Sequence, residues 1–164
     1  MSKHFVHLHC HTEYSILEAS LQTKKMMQRC QELGYTSIAM TDNGSMYGAI
    51  DFYLQAKQYD INPIVGCEVF VCDQMSEKQK TRDRLILLSQ NLTGYQNLVK
   101  LVTAGHLEGF YYRPRIDLER LAQHSEGLIA ISPGLHGLVA QRIQAHDDEA
   151  ASALAGQLNA LFPN

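Results

Sequence analysis

Residues 36–71, TSIAMTDNGSMYGAIDFYLQAKQYDINPIVGCEVFV, carry a strand, a turn, a helix and a second strand in succession. Residues 36–40 are short, apolar and β-branched at two positions, and they run into Thr41-Asp42-Asn43-Gly44, a strong turn signal. Residues 46–58 take up a helical pattern, and residues 63–71 read as a buried strand with one acid, Glu68, in an apolar run. A strand, a helix and a strand in that order indicate an α/β fold with a parallel sheet, in which functional side chains gather where strands end and loops begin.

The same alternation continues on both sides. Upstream, residues 5–9 alternate as a strand would and bring His7 and His9 to one side. Residues 21–33 then read as a helix capped by Ser20 and stopped by Gly34. Downstream, residues 84–89 and 127–132 are two further apolar strands, followed by helical segments near 94–104 and 135–143, and a last helix covers about 148–161. About five strands result. The polar segment 73–84 is the expected flexible loop.

With 164 residues, 45% apolar and 19% charged, the chain has the composition of one ordinary globular domain, which excludes disordered, collagen-like and coiled-coil classes. A net charge of -3 argues against a surface that grips nucleic acid all over, and leaves room for a local basic patch. No run of 18 apolar residues and no secretory leader pattern occurs, so a cytoplasmic location and no membrane contact are expected. The four cysteines form no CxxC pair and are expected as free thiols. Eight histidines are the anomaly, because His4, His7, His9 and His11 all fall within the first eleven residues.

Those histidines carry the strongest chemical signal. A metal ion needs lone-pair donors converging on one point, and alternate positions of an extended segment such as His7, His9 and His11 supply them. The competing reading is imidazoles paired with carboxylates and carbonyls. Glu68 is buried by its neighbours, and a buried carboxylate must be paired, protonated or metal-bound, so it is either a further ligand or the partner of a Lys or Arg. Glu18 lies near enough in sequence to join it, or else merely favours a helix N-terminus by its charge. Asp42, at the end of the second strand, is either a ligand or the cap and turn residue of Asp-Asn-Gly, and the turn is the favoured reading. Arg113 and Arg115, beside Tyr111 and Tyr112, could hold phosphate, stack on a base, or pack against a neighbouring domain. No Gly-rich phosphate loop and no G-x-S-x-G elbow is present, which removes those enzyme classes.

The segments HLHCHTEYSILEA, AMTDNGSMYGAIDFY, PIVGCEVFV, LTGYQNLVKL, GFYYRPRIDLERL and EGLIAIS, in that order, resemble the polymerase-and-histidinol-phosphatase (PHP) domain, in the branch carried N-terminally by bacterial DNA polymerase III alpha subunits. The resemblance implies an α/β fold of the distorted (β/α)7 barrel type, here as a single domain over 1–164 that stops before the last strands and the Asp-x-His ligand pair. It implies metal ligands at His9, His11 and Glu68, with Glu18 where the family usually has Asp and His7 where its enzymes often have Asp. Zn or Mn is the implied metal, and some members hydrolyse phosphoesters, including nucleotides at a DNA 3′ end.

Three positions depart from the pattern. Asn43 and Arg84 stand where the family has His, and Gly134 where it has Cys. Arg84 weighs most, since a fixed positive charge repels a metal and can neutralise Glu68 instead. The expectation is therefore a structural and docking module with a degenerate metal site and no catalytic residues of its own. Its implied partners are the rest of the alpha subunit, a proofreading exonuclease subunit, and DNA through the parent protein. A metal-dependent phosphoesterase or 3′–5′ exonuclease is the alternative. The polymerase chemistry of such a parent uses carboxylates absent from these 164 residues.

Overall fold

The computed structural model describes residues 5–80 and 83–163; His4 lies outside them. Its order is α1 (Thr23–Leu33), β1 (Ser37–Met40), α2 (Ala49–Gln58), β2 (Asn62–Val71), β3 (Arg84–Ser89), α3 (Leu92–Leu107), β4 (Arg115–Ile116), α4 (Leu118–Gln123), β5 (Leu128–Ile131), α5 (Leu138–Gln144) and α6 (Asp148–Leu161). A single 3-10 turn, Gly134–His136, precedes α5. The βαβ unit read from residues 36–71 is present: β1 pairs in parallel with the first half of β2, Ser37 facing Asn62 and Met40 facing Val65.

The sheet is mixed, not parallel throughout. It runs β1-β2-β3-β5 with β4 beside β2, and both the β2/β3 and the β3/β5 pairs are antiparallel. Residues 72–83, between β2 and β3, contain no helix among the described residues, and a parallel return needs a crossover of about a dozen residues, usually helical. The chain therefore turns straight back. Among the described residues the five strands form an open path and the sheet does not close into a barrel.

The strand expected over 5–9 is an extended segment without a regular ladder. Ala39 N–H donates to the His7 carbonyl and Thr41 N–H to the Cys10 carbonyl, but Cys10 N–H donates to the Thr41 hydroxyl, a side chain standing in for the next ladder partner. Helix α1 starts after Gln22, which makes no side-chain cap, so Ser20 is not its cap; Gly34, at φ 71°, ends it as expected. The helix expected over 135–143 is divided into the 3-10 turn and α5, and β4 and α4 are elements the pattern did not announce.

Two faces of the sheet are packed. Cys67, Val69 and Val71 of β2, with Leu85 and Leu87 of β3, meet Leu98 and Leu101 of α3, Leu121 of α4 and Leu154 of α6 in the main core. The opposite face carries Ile86 and Leu88 with Ala39, a smaller cluster, and Glu68 belongs to this side because side chains alternate along a strand. Met26, Met27 and Cys30 of α1 and Ala49, Phe52 and Ala56 of α2 close over Ile38 and Met40 in a third cluster. Each fully buried Met, Phe or Leu of this kind contributes about 1.5–3 kcal/mol. No helix among the described residues is long and apolar enough to cross a membrane.

Candidate metal and ion-pair site

Glu68 stands in the middle of β2, and the backbone on either side of it is held by the turn after β1. Its N–H donates to the Asp42 carbonyl at 3.0 Å, and Gly44 N–H donates to its carbonyl at 2.8 Å. The 41–44 turn thus places Asn43 beside it, with Gly44 at φ 59°. Three groups meet Glu68 Oε2: His11 Nε2 at 2.9 Å, Arg84 Nη1 at 3.2 Å and His9 Nε2 at 3.6 Å. His9 Nε2 and His11 Nε2 lie 3.2 Å apart.

Arg84 reaches this point because it opens β3 opposite Phe70, one diagonal step from Glu68, which faces Ile86. Its Nη1 also lies 3.4 Å from Asn43 Oδ1 and 3.9 Å from Glu18 Oε2, so it bridges the two carboxylates. Burial pushes the Glu68 carboxyl up, but the His11 hydrogen bond and the charges of Arg84, His11 and His9 together hold it below the ordinary carboxylate value. Glu68 is 1% exposed, so its ionised form depends on these partners.

The structure brings together His9, His11 and Glu68 and separates the other candidates. His7 lies with its ring against Phe5 at 4.7 Å and Tyr35 at 5.5 Å. Glu18 sits one step outward, accepting from Asn43 Nδ2 at 2.5 Å and from Arg113 Nη1 at 3.3 Å. Asp42 is wholly buried and is more than a turn residue. It accepts from Thr12 N–H and Ser15 Oγ at 2.6 Å and from Thr12 Oγ1 at 2.7 Å, anchoring the loop that follows the histidines. Nothing in the sequence marks Thr12 and Ser15 for this role, since two small hydroxyl residues in a loop carry no periodic signal.

Arg115 is 2% exposed and serves the fold. Its guanidinium donates to the carbonyls of Gly109, Gln79 and Met75, tying the 75–79 segment to β4. The expectation that it contacts phosphate, a base or another domain is replaced by this internal role. Arg113 remains at the surface, its guanidinium carbon 4.7 Å from the Phe70 ring centre.

The donors can be tested against the metal that the resemblance implies. Ligands about 2.0–2.1 Å from a tetrahedral zinc sit about 3.3–3.4 Å from one another. Separations of 2.9, 3.2 and 3.6 Å among His11, His9 and Glu68 match that spacing, so these three residues fit one ion. A wider multi-metal centre does not fit. Asn43 offers an amide, Gly134 has no side chain, and Arg84 places a permanent cation 3.2 Å from the shared carboxylate oxygen.

The chain matches the PHP domain family over residues 7–164. The DNA polymerase III subunit alpha of Helicobacter pylori is 43% identical over 150 residues, covering 90% of this chain and 12% of that protein. The same subunit of Chlamydia muridarum is 45% identical over 143 residues, covering 84% and 12%, and that of Borreliella burgdorferi 40% over 153 residues, covering 90% and 13%. The chain thus spans about an eighth of the length of these relatives. A solved structure assigned as a metal-dependent phosphoesterase from Bifidobacterium adolescentis superposes with a TM-score of 0.46 at 14% identity, over 61% of this chain and 32% of that one. The match over residues 7–164, together with the identity to these alpha subunits across most of its length, means that this chain belongs to the PHP domain family.

Proposed function

We propose that this PHP domain serves a bacterial DNA polymerase III alpha subunit as a structural and docking module, its metal site converted into an internal ion-pair cluster. One observation carries the reading: the Arg84 guanidinium lies against Glu68, the carboxylate that His9 and His11 share. A guanidinium stays charged at every pH a cell experiences, so it supplies permanently the positive charge that a metal would bring. It offers no open coordination position and activates no water. His9, His11 and Arg84 instead stabilise a buried carboxylate, which joins the 5–11 segment to β2 and β3.

The remainder of the alpha subunit is the covalent partner in this reading, a proofreading exonuclease subunit is the proposed docking partner, and DNA is reached through the parent protein in the cytoplasm. Replicative polymerisation belongs to the parent as a whole. Co-purification of the full alpha subunit with and without residues 1–164, in the presence of a proofreading subunit, tests the docking role. Retention of that subunit by the shortened protein would end it.

The donor triangle favours a second reading. One Zn or Mn ion on His9, His11 and Glu68, with a fourth position open, supplies a metal-bound water acidic enough to attack a phosphoester. Elemental mass spectrometry of chelator-free protein, set against the His9→Ala, Glu68→Ala double variant, separates the two. The ion-pair reading expects metal well below one equivalent in both proteins and no divalent-dependent phosphoester hydrolysis. One equivalent of metal lost in the double variant, with hydrolysis that depends on it, would establish the phosphoesterase.

A further inference from the structure

The direct return from β2 to β3 leaves a gap in the helical layer. A parallel crossover would lay a helix over these strands, but residues 72–83 hold none among the described residues. A groove of about 470 Å3, within the size range of ligand sites, opens there between α2 and the start of α3. Its floor includes Val65 and Ser89, which lie side by side one step beyond the Gly66–Leu88 pair. Both point to the side of Cys67 and Leu87, so the groove and the Glu68 cluster occupy opposite faces of the sheet.

The walls are Ile50 and Tyr53 of α2 and Leu92 and Tyr95 of α3. Ile50 is 64% and Leu92 70% exposed, and large apolar side chains left bare around a groove mark a surface made for contact. Two further features define what fits. The Ser89 hydroxyl is shut off from solvent and has no hydrogen-bond partner among the described residues. Such orphaned groups are rare, and a serine hydroxyl turns readily between staggered rotamers, so an arriving polar atom supplies what it lacks. The second feature is charge. None of the residues lining the groove is charged, while at its edge Lys57 holds its Nζ 5.5 Å from the centre of the Tyr53 ring and makes no ion pair among the described residues.

We propose that the groove between α2 and α3 docks a tyrosine of a partner protein, flanked there by acidic residues: the ring lies among Ile50, Tyr53, Leu92 and Tyr95, the phenol meets Ser89, and the acid meets Lys57. A charged side chain would lose its hydration against these walls, and a phenylalanine would leave the Ser89 hydroxyl unpaired. Tyrosine anchors in desolvated pockets are a common centre of binding energy. The inference rests on the reading of this domain as a docking module and gives that module a surface. It does not depend on what the His9, His11 and Glu68 cluster holds.

The test is a nuclear magnetic resonance titration of the isotope-labelled 164-residue chain with a short peptide in which one tyrosine is followed by aspartates. Amide shifts are expected in α2 and in residues 89–95. The same peptide with phenylalanine is expected to bind about two- to tenfold weaker, the worth of one hydrogen bond, and Ser89→Ala to bind both peptides alike. Asparagines in place of the aspartates, or Lys57→Gln, are expected to weaken binding about two- to fivefold at low salt and less at high salt. Ile50→Asp, at an exposed position and with its fold checked by circular dichroism, is expected to lose about tenfold or more.

No binding, equal binding of the two peptides by the native chain, or binding untouched by Ile50→Asp overturns the proposal. A native chain that sediments as a dimer, and as a monomer after Ile50→Asp, assigns the groove to a second copy and also overturns it. Co-purification separates this inference from the reading beneath it. An alpha subunit lacking residues 1–164 that still retains the proofreading subunit, alongside intact peptide binding, ends that subunit's docking role while the groove stands. Loss of the subunit together with no peptide binding overturns the groove alone.

Discussion

Arg84 decides the chemistry of the cluster by charge, and a single substitution measures how much. Replacing it with histidine exchanges a permanent cation for a neutral donor at the start of β3, beside a carboxylate that is 1% exposed. Two like unit charges ~4–5 Å apart at an effective dielectric of ~20 repel by several kcal/mol, and the repulsion of a divalent ion is larger. Arg84→His is therefore expected to raise zinc affinity by about tenfold or more, read by competition with a chromogenic chelator. Affinity unchanged by the substitution would mean that the three donors alone set it. Arg115 illustrates a second use of the same side chain. Arg115→Lys keeps the charge but cannot span three carbonyls with one ammonium, so a loss of about 2–3 kcal/mol in urea unfolding is expected. A variant as stable as the parent would show that water replaces the missing donors.

At the scale of elements, the recurring glycines mark where backbones touch. A Cβ added to Gly94, in the first turn of α3, would lie 1.8 Å from the Gly127 carbonyl oxygen ahead of β5, and one added to Gly109 would lie 2.0 Å from the Arg115 carbonyl oxygen. The LTGYQNL and GFYYRPRID segments thus have glycines where backbones pack closely. Gly94→Ala is expected to destabilise the fold by about 1–3 kcal/mol, the usual cost of overpacking. A midpoint in denaturant within error of the parent would show that α3 can shift aside. The first turn of α3 has its own side-chain cap, since Asn91 accepts from Gly94 N–H at 2.9 Å, which fixes the helix end that must approach Gly127.

Over the whole molecule, the readable features were those with strong periods. The βαβ unit over 36–71, the apolar β3, the long α3 and α6, and the gathering of His9, His11 and Glu68 all follow from spacing and composition. The pairing of Arg84 with Glu68 follows instead from the family resemblance, in which Arg84 stands where a histidine is usual. Sheet direction was not legible, because it depends on whether residues 72–83 supply a crossover, and a polar stretch looks the same in either case. Two-residue β4 and six-residue α4 are too short to show a period. Arg115 reads as a surface residue in any composition-based argument, and only the three carbonyls around it explain its burial.

The thiols give a test of global packing. Cys30, Cys67 and Cys72 are buried, Cys10 is partly so, and all four are free. Burial, with a smaller push from Cys30, raises the Cys10 thiol to about 11, and burial likewise raises the other three. Because the thiolate is the reactive species, labelling of the native chain by a disulfide reagent is expected to be slow at neutral pH. Its rate at Cys10 should climb about tenfold per pH unit while the pH stays below that value. Denatured chain should release all four thiols at once, and fast native labelling of more than one thiol at pH 7 would show that the packing described is not that of the protein in solution.

Strand β2 has a further meaning when time is considered instead of distance. Its first half is laddered to β1 and its second half to both β3 and β4, while the turn carrying Asn43 grips it at Glu68. No opening can release Glu68 without parting the central sheet, so the floor of the cluster moves only with global unfolding. Leu17 and Tyr112 lie on loops, fully and largely exposed, and surface loops as a class move in nanoseconds to microseconds. Two timescales thus meet at one cluster, the slow one of the laddered strand under the carboxylate and the faster one of the exposed loops beside it.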